Sequence, residues 1–186
     1  MGSNLILWLS GRKHCGKTYL AAQIALRLYE SGRRVICVSP MGGFKLPGAP
    51  MFVEDRPQNY SDLNGRSAVV LPDSDQAAAD AFLFAWEVGG LWLFVDEIDM
   101  YLDNYNPDDS LMKIVRYGRH KGISLCGICQ RPASVKKDLL AQADLVLLFQ
   151  TVEPNDLRYL KALTGVDPDR LAALPERRCV VGRSLK

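Results

Sequence analysis

Residues 5–18 read LILWLSGRKHCGKT, an unbroken apolar run followed by a basic loop flanked by glycines. A continuous apolar stretch ending at Ser10 and Gly11 is what a strand covered on both faces requires. Beyond the loop, Leu20, Ile24 and Leu28 recur at helical spacing opposite Gln23, Arg27 and Glu30, and Gly32 supplies a stop. That pattern predicts an amphipathic helix over 18–31. Between strand and helix, the loop has the spacing G-x-x-x-x-G-K-T. Glycines at both ends let the backbone curl so that successive amides point inward at an anion. Lys17 can then reach the terminal phosphates, and Thr18 can offer its hydroxyl to magnesium. Gly11, Arg12, Lys13, His14, Cys15, Gly16, Lys17, Thr18 and Tyr19 therefore form the expected nucleotide-binding segment, at the positive end of the helix. A thiolate at Cys15 would be favoured by that helix start, so Cys15 is expected to react with thiol reagents.

Residues 91–99, LWLFVDEID, supply the expected partner. A buried strand here delivers Asp96 to its carboxyl end, where it can hold Mg2+ together with Thr18. Glu97, one residue further, can polarise an attacking water as general base. Asp99 reads as a surface carboxylate. ATP and Mg2+ are thus the expected ligands.

The rest of the chain alternates between the two patterns. Apolar runs predict strands over 35–38, 68–71, 123–129, 145–149 and 179–181. Helices are predicted over 74–88, 107–117, 154–163 and 168–174, with Asn106 as cap and Pro107 in the first turn of the second of these. Strands alternating with helices imply an α/β domain, a mostly parallel sheet with helices on both faces, spanning 1–186 as one unit. Residues 40–66 carry four prolines and four glycines and read as a long irregular insertion.

The two acidic and basic motifs resemble those of the P-loop NTPases with an additional catalytic glutamate. RYGRHKGISLCGICQRP (116–132), followed by ADLVLLFQ (143–150), narrows the resemblance to the HerA–FtsK superfamily. The resemblance implies a RecA-like core with an additional strand between the two motif strands, its tip carrying Gln130 as a polar sensor. It also implies an arginine acting across a subunit boundary, with Arg119 the first choice and Arg116 the second. The implied activity is an ATP hydrolase that translocates double-stranded DNA as a homo-oligomeric ring, pentameric or hexameric. Small viral genome-packaging ATPases look most similar, which implies a capsid or portal partner, host cytoplasm and the virion vertex. Lys45, Lys136 and Lys137 would be the DNA-facing lysines. A thymidine-kinase-like nucleoside kinase, a filamentous-phage assembly ATPase of the zonula-occludens-toxin type and a nucleotide-gated switch are the rival readings.

Composition bounds these readings. A chain of 186 residues that is 48% hydrophobic and 24% charged suits one soluble domain, able to bury roughly 70% of its unfolded surface. A net charge of +2 requires any DNA contact to rely on local basic patches. The apolar runs are broken by charge, so no bilayer span is expected. The five cysteines are an odd number, four of them in apolar runs, as reduced thiols of a cytoplasmic protein would be. Cys126 and Cys129 point to opposite faces of one strand, which argues against a zinc site.

Overall fold

The structure is a computed structural model that describes residues 4–53 and 66–183. Strands β1 (Ile6–Ser10), β2 (Val35–Val38), β3 (Met51–Val53), β4 (Ala68–Leu71), β5 (Trp92–Val95), β6 (Ser124–Cys129), β7 (Leu145–Leu148) and β8 (Val180–Gly182) build one sheet. Their order is β3-β4-β2-β5-β6-β1-β7-β8. Every pairing is parallel except β7 with β8. The helices are α1 (Lys17–Glu30), α2 (Asp75–Val88), α3 (Asp109–Tyr117), α4 (Lys137–Leu140), α5 (Pro154–Thr164) and α6 (Pro168–Ala172).

The apolar runs are continuous because each strand feeds two cores. On β1, Ile6 and Trp8 join one cluster with Phe82 of α2, Ile114 of α3 and Leu160 of α5. Leu7 and Leu9, pointing the other way, join Ala21 and Ala25 of α1. Helices therefore cover both faces, as a parallel sheet requires. Cys126 and Cys129 fall in different clusters, and all five cysteines are free thiols.

The additional strand is present. β6 lies between β1 and β5, registering Ile6 with Leu125 on one side and Leu93 with Leu125 on the other. Three neighbouring strands thus end at one sheet edge, carrying the glycine loop, Gln130 and Asp96.

Two sequence expectations change. The segment after Pro40 is not irregular throughout: Phe44 and Leu46 are buried against the α1 face, and Met51–Val53 pairs with β4. Met51 and Val53 are exposed, so this short edge strand lacks the apolar signature of the others. Residues 54–65 of the expected insertion lie outside the described residues. The cap of α3 is Asp108, not Asn106; its carboxylate accepts from Leu111 N at 2.7 Å. The Asn106 amide instead donates to Asp103 at 2.6 Å, folding the preceding turn, and Pro107 precedes the helix.

Candidate functional site

The loop from Gly11 to Gly16 leaves β1 and is pinned to both neighbouring strands' ends. Gly11 N donates to Cys129 O at 3.4 Å and Arg12 N to Gln150 O at 2.8 Å. His14 takes φ 63 and Gly16 takes φ 99, left-handed turns that curl the loop before α1 begins. Lys17 is buried, and its ammonium donates to Gly11 O at 2.8 Å and Arg12 O at 2.7 Å. Two of its three donors therefore hold the loop closed around the start of α1.

Asp96 follows β5 and is buried beside α1. Its carboxylate accepts from Thr18 Oγ1 at 3.2 Å, Ser39 Oγ at 3.2 Å and Glu97 N at 3.2 Å. Burial raises its pKa, and these hydrogen bonds and Lys17 partly oppose the rise. The chain comes close here: a Cβ on Gly43 would stand 2.4 Å from Thr18 Cγ2 and 3.5 Å from Asp96 Oδ2. Gly43 N donates to Ser39 Oγ at 3.2 Å, completing the contact.

Glu97 turns away from β5 with φ 53. Its carboxylate accepts a short hydrogen bond from Gln130 Nε2 at the tip of β6. Burial first, then the nearby Asp99 carboxylate, raises its pKa. Asp99 proves to be more than a surface carboxylate. It accepts from Gln130 N at 3.4 Å and Arg131 N at 3.1 Å, tying the turn after β5 to the tip of β6.

Lys17, Thr18, Gly43, Asp96, Glu97 and Gln130 line one cleft of about 720 Å³, together with Glu176 and Arg177. Its chemistry suits a nucleotide: a curled loop at a helix start, a lysine beside it, and two neighbouring carboxylates, Asp96 and Glu97. The Thr18 hydroxyl and Asp96 carboxylate are adjacent hard oxygen donors, and a buried carboxylate with a raised pKa gains most from a cation. Among the described residues no group of three His, Cys, Asp or Glu side chains could hold a metal alone. A magnesium ion here would thus draw on Thr18, Asp96 and the ligand's own oxygens.

Not every predicted residue enters the cleft as expected. Cys15 is 1% exposed and packs in the core beneath the loop with Ala21 and Phe149, so the expected attack by thiol reagents is overturned by burial. Arg12 turns outward to Glu176 at 3.7 Å. Arg119 and Arg116 precede β6, whereas Gln130 follows it, and six strand residues separate the two ends, roughly 20 Å. Arg119 pairs with both oxygens of Asp144 at 2.7 Å, and Arg116 with Asp138 at 2.9 Å. Neither reaches its own subunit's cleft. Lys45 and Lys137 are exposed and Lys136 is half-buried.

Sequence reasoning missed Ser39, Gly43, Glu176 and Arg177. Ser39 could have been found, since it ends an apolar strand as a polar residue. Gly43 was hidden in the loop, and Arg177 arrives only because β8 runs back beside β7. Among the described residues, no helix is long and apolar enough to cross a membrane.

The fold has known counterparts. The genome packaging NTPase B204 of Sulfolobus turreted icosahedral virus 2, solved with AMPPCP, matches with a TM-score of 0.76 at 21% identity over 100% of each chain. VirB4 of Thermoanaerobacter pseudethanolicus matches at 0.74 and 14% identity, over 99% of this chain and 88% of that one. The N-terminal domain of zonular occludens toxin from Neisseria meningitidis reaches 0.50 at 16% identity, over 78% of this chain and 76% of that one. No protein-family model and no curated protein matches the chain. At these identities the likeness is one of fold: this chain has the α/β architecture of the P-loop NTPases, similar to that of B204.

Proposed function

We propose that the chain is an ATPase that couples hydrolysis to the movement of double-stranded DNA, working as a homo-oligomeric ring in the packaging of a viral genome. The observation that carries this reading is the bond between Gln130 and Glu97, made from the strand inserted between β1 and β5. A nucleotide pocket alone needs neither group; a hydrolase needs a base and something to aim it.

In this reading Lys17 and the amides of residues 13–16 neutralise the β- and γ-phosphates. Thr18 and Asp96 would hold Mg2+, which when bound would supply positive charge against the phosphate oxygens. Glu97 takes the proton from the attacking water, and Gln130 fixes the Glu97 carboxylate while its remaining polar atoms face the water and γ-phosphate. Ser39 fixes the free oxygen of Asp96, and Asp99 fixes the strand tip that carries Gln130. Arg119, with Arg116 as second choice, completes the site of a neighbouring subunit. Support for the DNA role comes from the full-length fold match to a packaging NTPase.

The test is ATP hydrolysis by the purified chain, with and without double-stranded DNA, beside its mass in the presence of an ATP analogue. Stimulation by DNA together with a ring-sized mass is expected. Phosphate transfer that depends on an added nucleoside would overturn the reading in favour of a kinase.

A further inference from the structure

The turn at residues 175–178 reaches the rim of the nucleotide cleft on the side away from Glu97. The sheet order fixes the sides: β6 and β5 flank β1 in one direction, β7 and β8 in the other. Glu97 and Gln130 follow β5 and β6, whereas this turn leads into β8. A nucleoside triphosphate whose γ-phosphate faces Glu97 therefore extends its nucleoside end toward the turn.

Arg177 sits at that end, lining the cleft with Tyr19 and Gly16. Its amide donates to Cys15 O at 3.1 Å, and Arg178 N closes the turn on Pro175 O at 3.2 Å. A Cβ added to Gly16 would stand 3.3 Å from Arg177 Cγ and 3.4 Å from its Cα, so the arginine stem lies directly on the loop. The backbone at Arg177 is left-handed, φ 59. Glycine takes that conformation freely, whereas an arginine is strained in it. A position where glycine suits the backbone, yet a long cation is placed over the ligand's path, is one whose side chain is used.

We propose that Arg177 forms the wall of the base subsite, its guanidinium plane lying against the face of the nucleobase. A guanidinium stacks on aromatic surfaces and is weakly hydrated, so it can give up water to do so. Tyr19, 70% exposed in the same cleft, adds aromatic surface beside it. Stacking reads the face that every base has, so Arg177 contributes affinity for nucleosides without choosing between adenine and guanine. This inference rests on the nucleotide-binding reading above.

Calorimetric titration of the whole chain with MgATP and with magnesium tripolyphosphate separates the possibilities. Arg177→Gly keeps the turn's backbone and removes the stack; Arg177→Lys keeps the charge and loses the plane. Both variants are expected to bind MgATP about tenfold or more weakly, while tripolyphosphate binds as to the parent. MgGTP should weaken in parallel with MgATP. Unchanged MgATP affinity in Arg177→Gly overturns the proposal. So does an equal loss of ATP and tripolyphosphate that Arg177→Lys restores, which would make Arg177 a phosphate ligand. Were Arg177→Gly to fail to fold, the Arg177→Lys pair of titrations alone decides. A parent chain that binds tripolyphosphate but not ATP overturns the base subsite, and one that binds neither overturns the nucleotide reading and this inference with it.

Discussion

Glu97 holds its carboxylate against Gln130 in a partly buried setting whose burial, with Asp99 beside it, raises the carboxyl pKa. A base must be ionised to accept a proton. As pH falls, hydrolysis should therefore fade at a higher pH than it would with an exposed glutamate as base. The same sign governs stability. A carboxyl whose pKa is raised on folding stabilises the ligand-free fold below its unfolded value, and that contribution is lost as pH rises through the folded value. Glu97→Gln should then melt no lower than the parent at neutral pH, bind ATP as well, and hydrolyse it about a hundredfold or more slowly. Parent-level hydrolysis in this variant would remove Glu97 from the chemistry. Gly43 is a second residue-scale test. Its Cβ would lie 2.4 Å from Thr18 Cγ2, and overpacking of this kind costs about 1–3 kcal/mol. Gly43→Ala should lower the melting temperature and weaken MgATP binding together, because the displaced atom shares a residue with the hydroxyl proposed to hold magnesium. A variant with parent affinity would show that this contact yields without disturbing Thr18.

At the scale of elements, the site depends on the tip of β6, which runs past its last pair with β5 (Val95 with Gly127), lying beside the turn after β5. Asp99 ties that tip to the turn by accepting from the amides of Gln130 and Arg131. Asp99→Ala frees both amides and should let the β6 tip drift, lowering kcat by about tenfold or more while leaving MgATP affinity near the parent value. Equal losses in a titration of Lys17-dependent binding and in kcat would instead mean that the whole edge had unfolded. The sequence read the loop and the Asp96–Glu97 pair directly, because their chemistry demands consecutive residues at fixed spacing. It also indicated β1, β2, β4, β5, β6 and β7, since a strand buried twice is apolar at every position. β3 escaped because an exposed edge strand of three residues has no such pattern. Asp99 was misread for a related reason: its partners lie 31 and 32 positions away, just past the end of β6. Arg177 was invisible because only the antiparallel return of β8 carries it to the cleft.

The whole molecule presents its cleft at the carboxyl edge of the sheet and Arg119 at the amino edge of β6. An arginine that completes a neighbour's site must bring the amino edge of one subunit to the carboxyl edge of another, and a head-to-tail contact that does so can close into a ring. Within one subunit Arg119 is 49% exposed on its side chain and pairs with Asp144, an exposed ion pair contributing about 0.2–1 kcal/mol. Asp144 retains the Ile6 amide at 2.8 Å when the arginine is gone. Arg119→Ala should therefore fold and bind ATP normally, so any loss of hydrolysis belongs to the assembly. An Arg119→Ala subunit keeps its own Glu97, and a Glu97→Gln subunit keeps its arginine. If Arg119 acts across the boundary, each variant alone is nearly inactive, while a mixture regains hydrolysis wherever an intact arginine meets an intact glutamate. Recovery should fade on dilution, as the ring dissociates. A purely structural ion pair predicts that Arg119→Ala is active by itself. An arginine acting within its own subunit predicts no recovery in any mixture, because neither kind of subunit holds both groups. Activity per subunit that is independent of concentration, with Arg119→Ala silent, would leave a monomeric enzyme and withdraw the ring from the proposal.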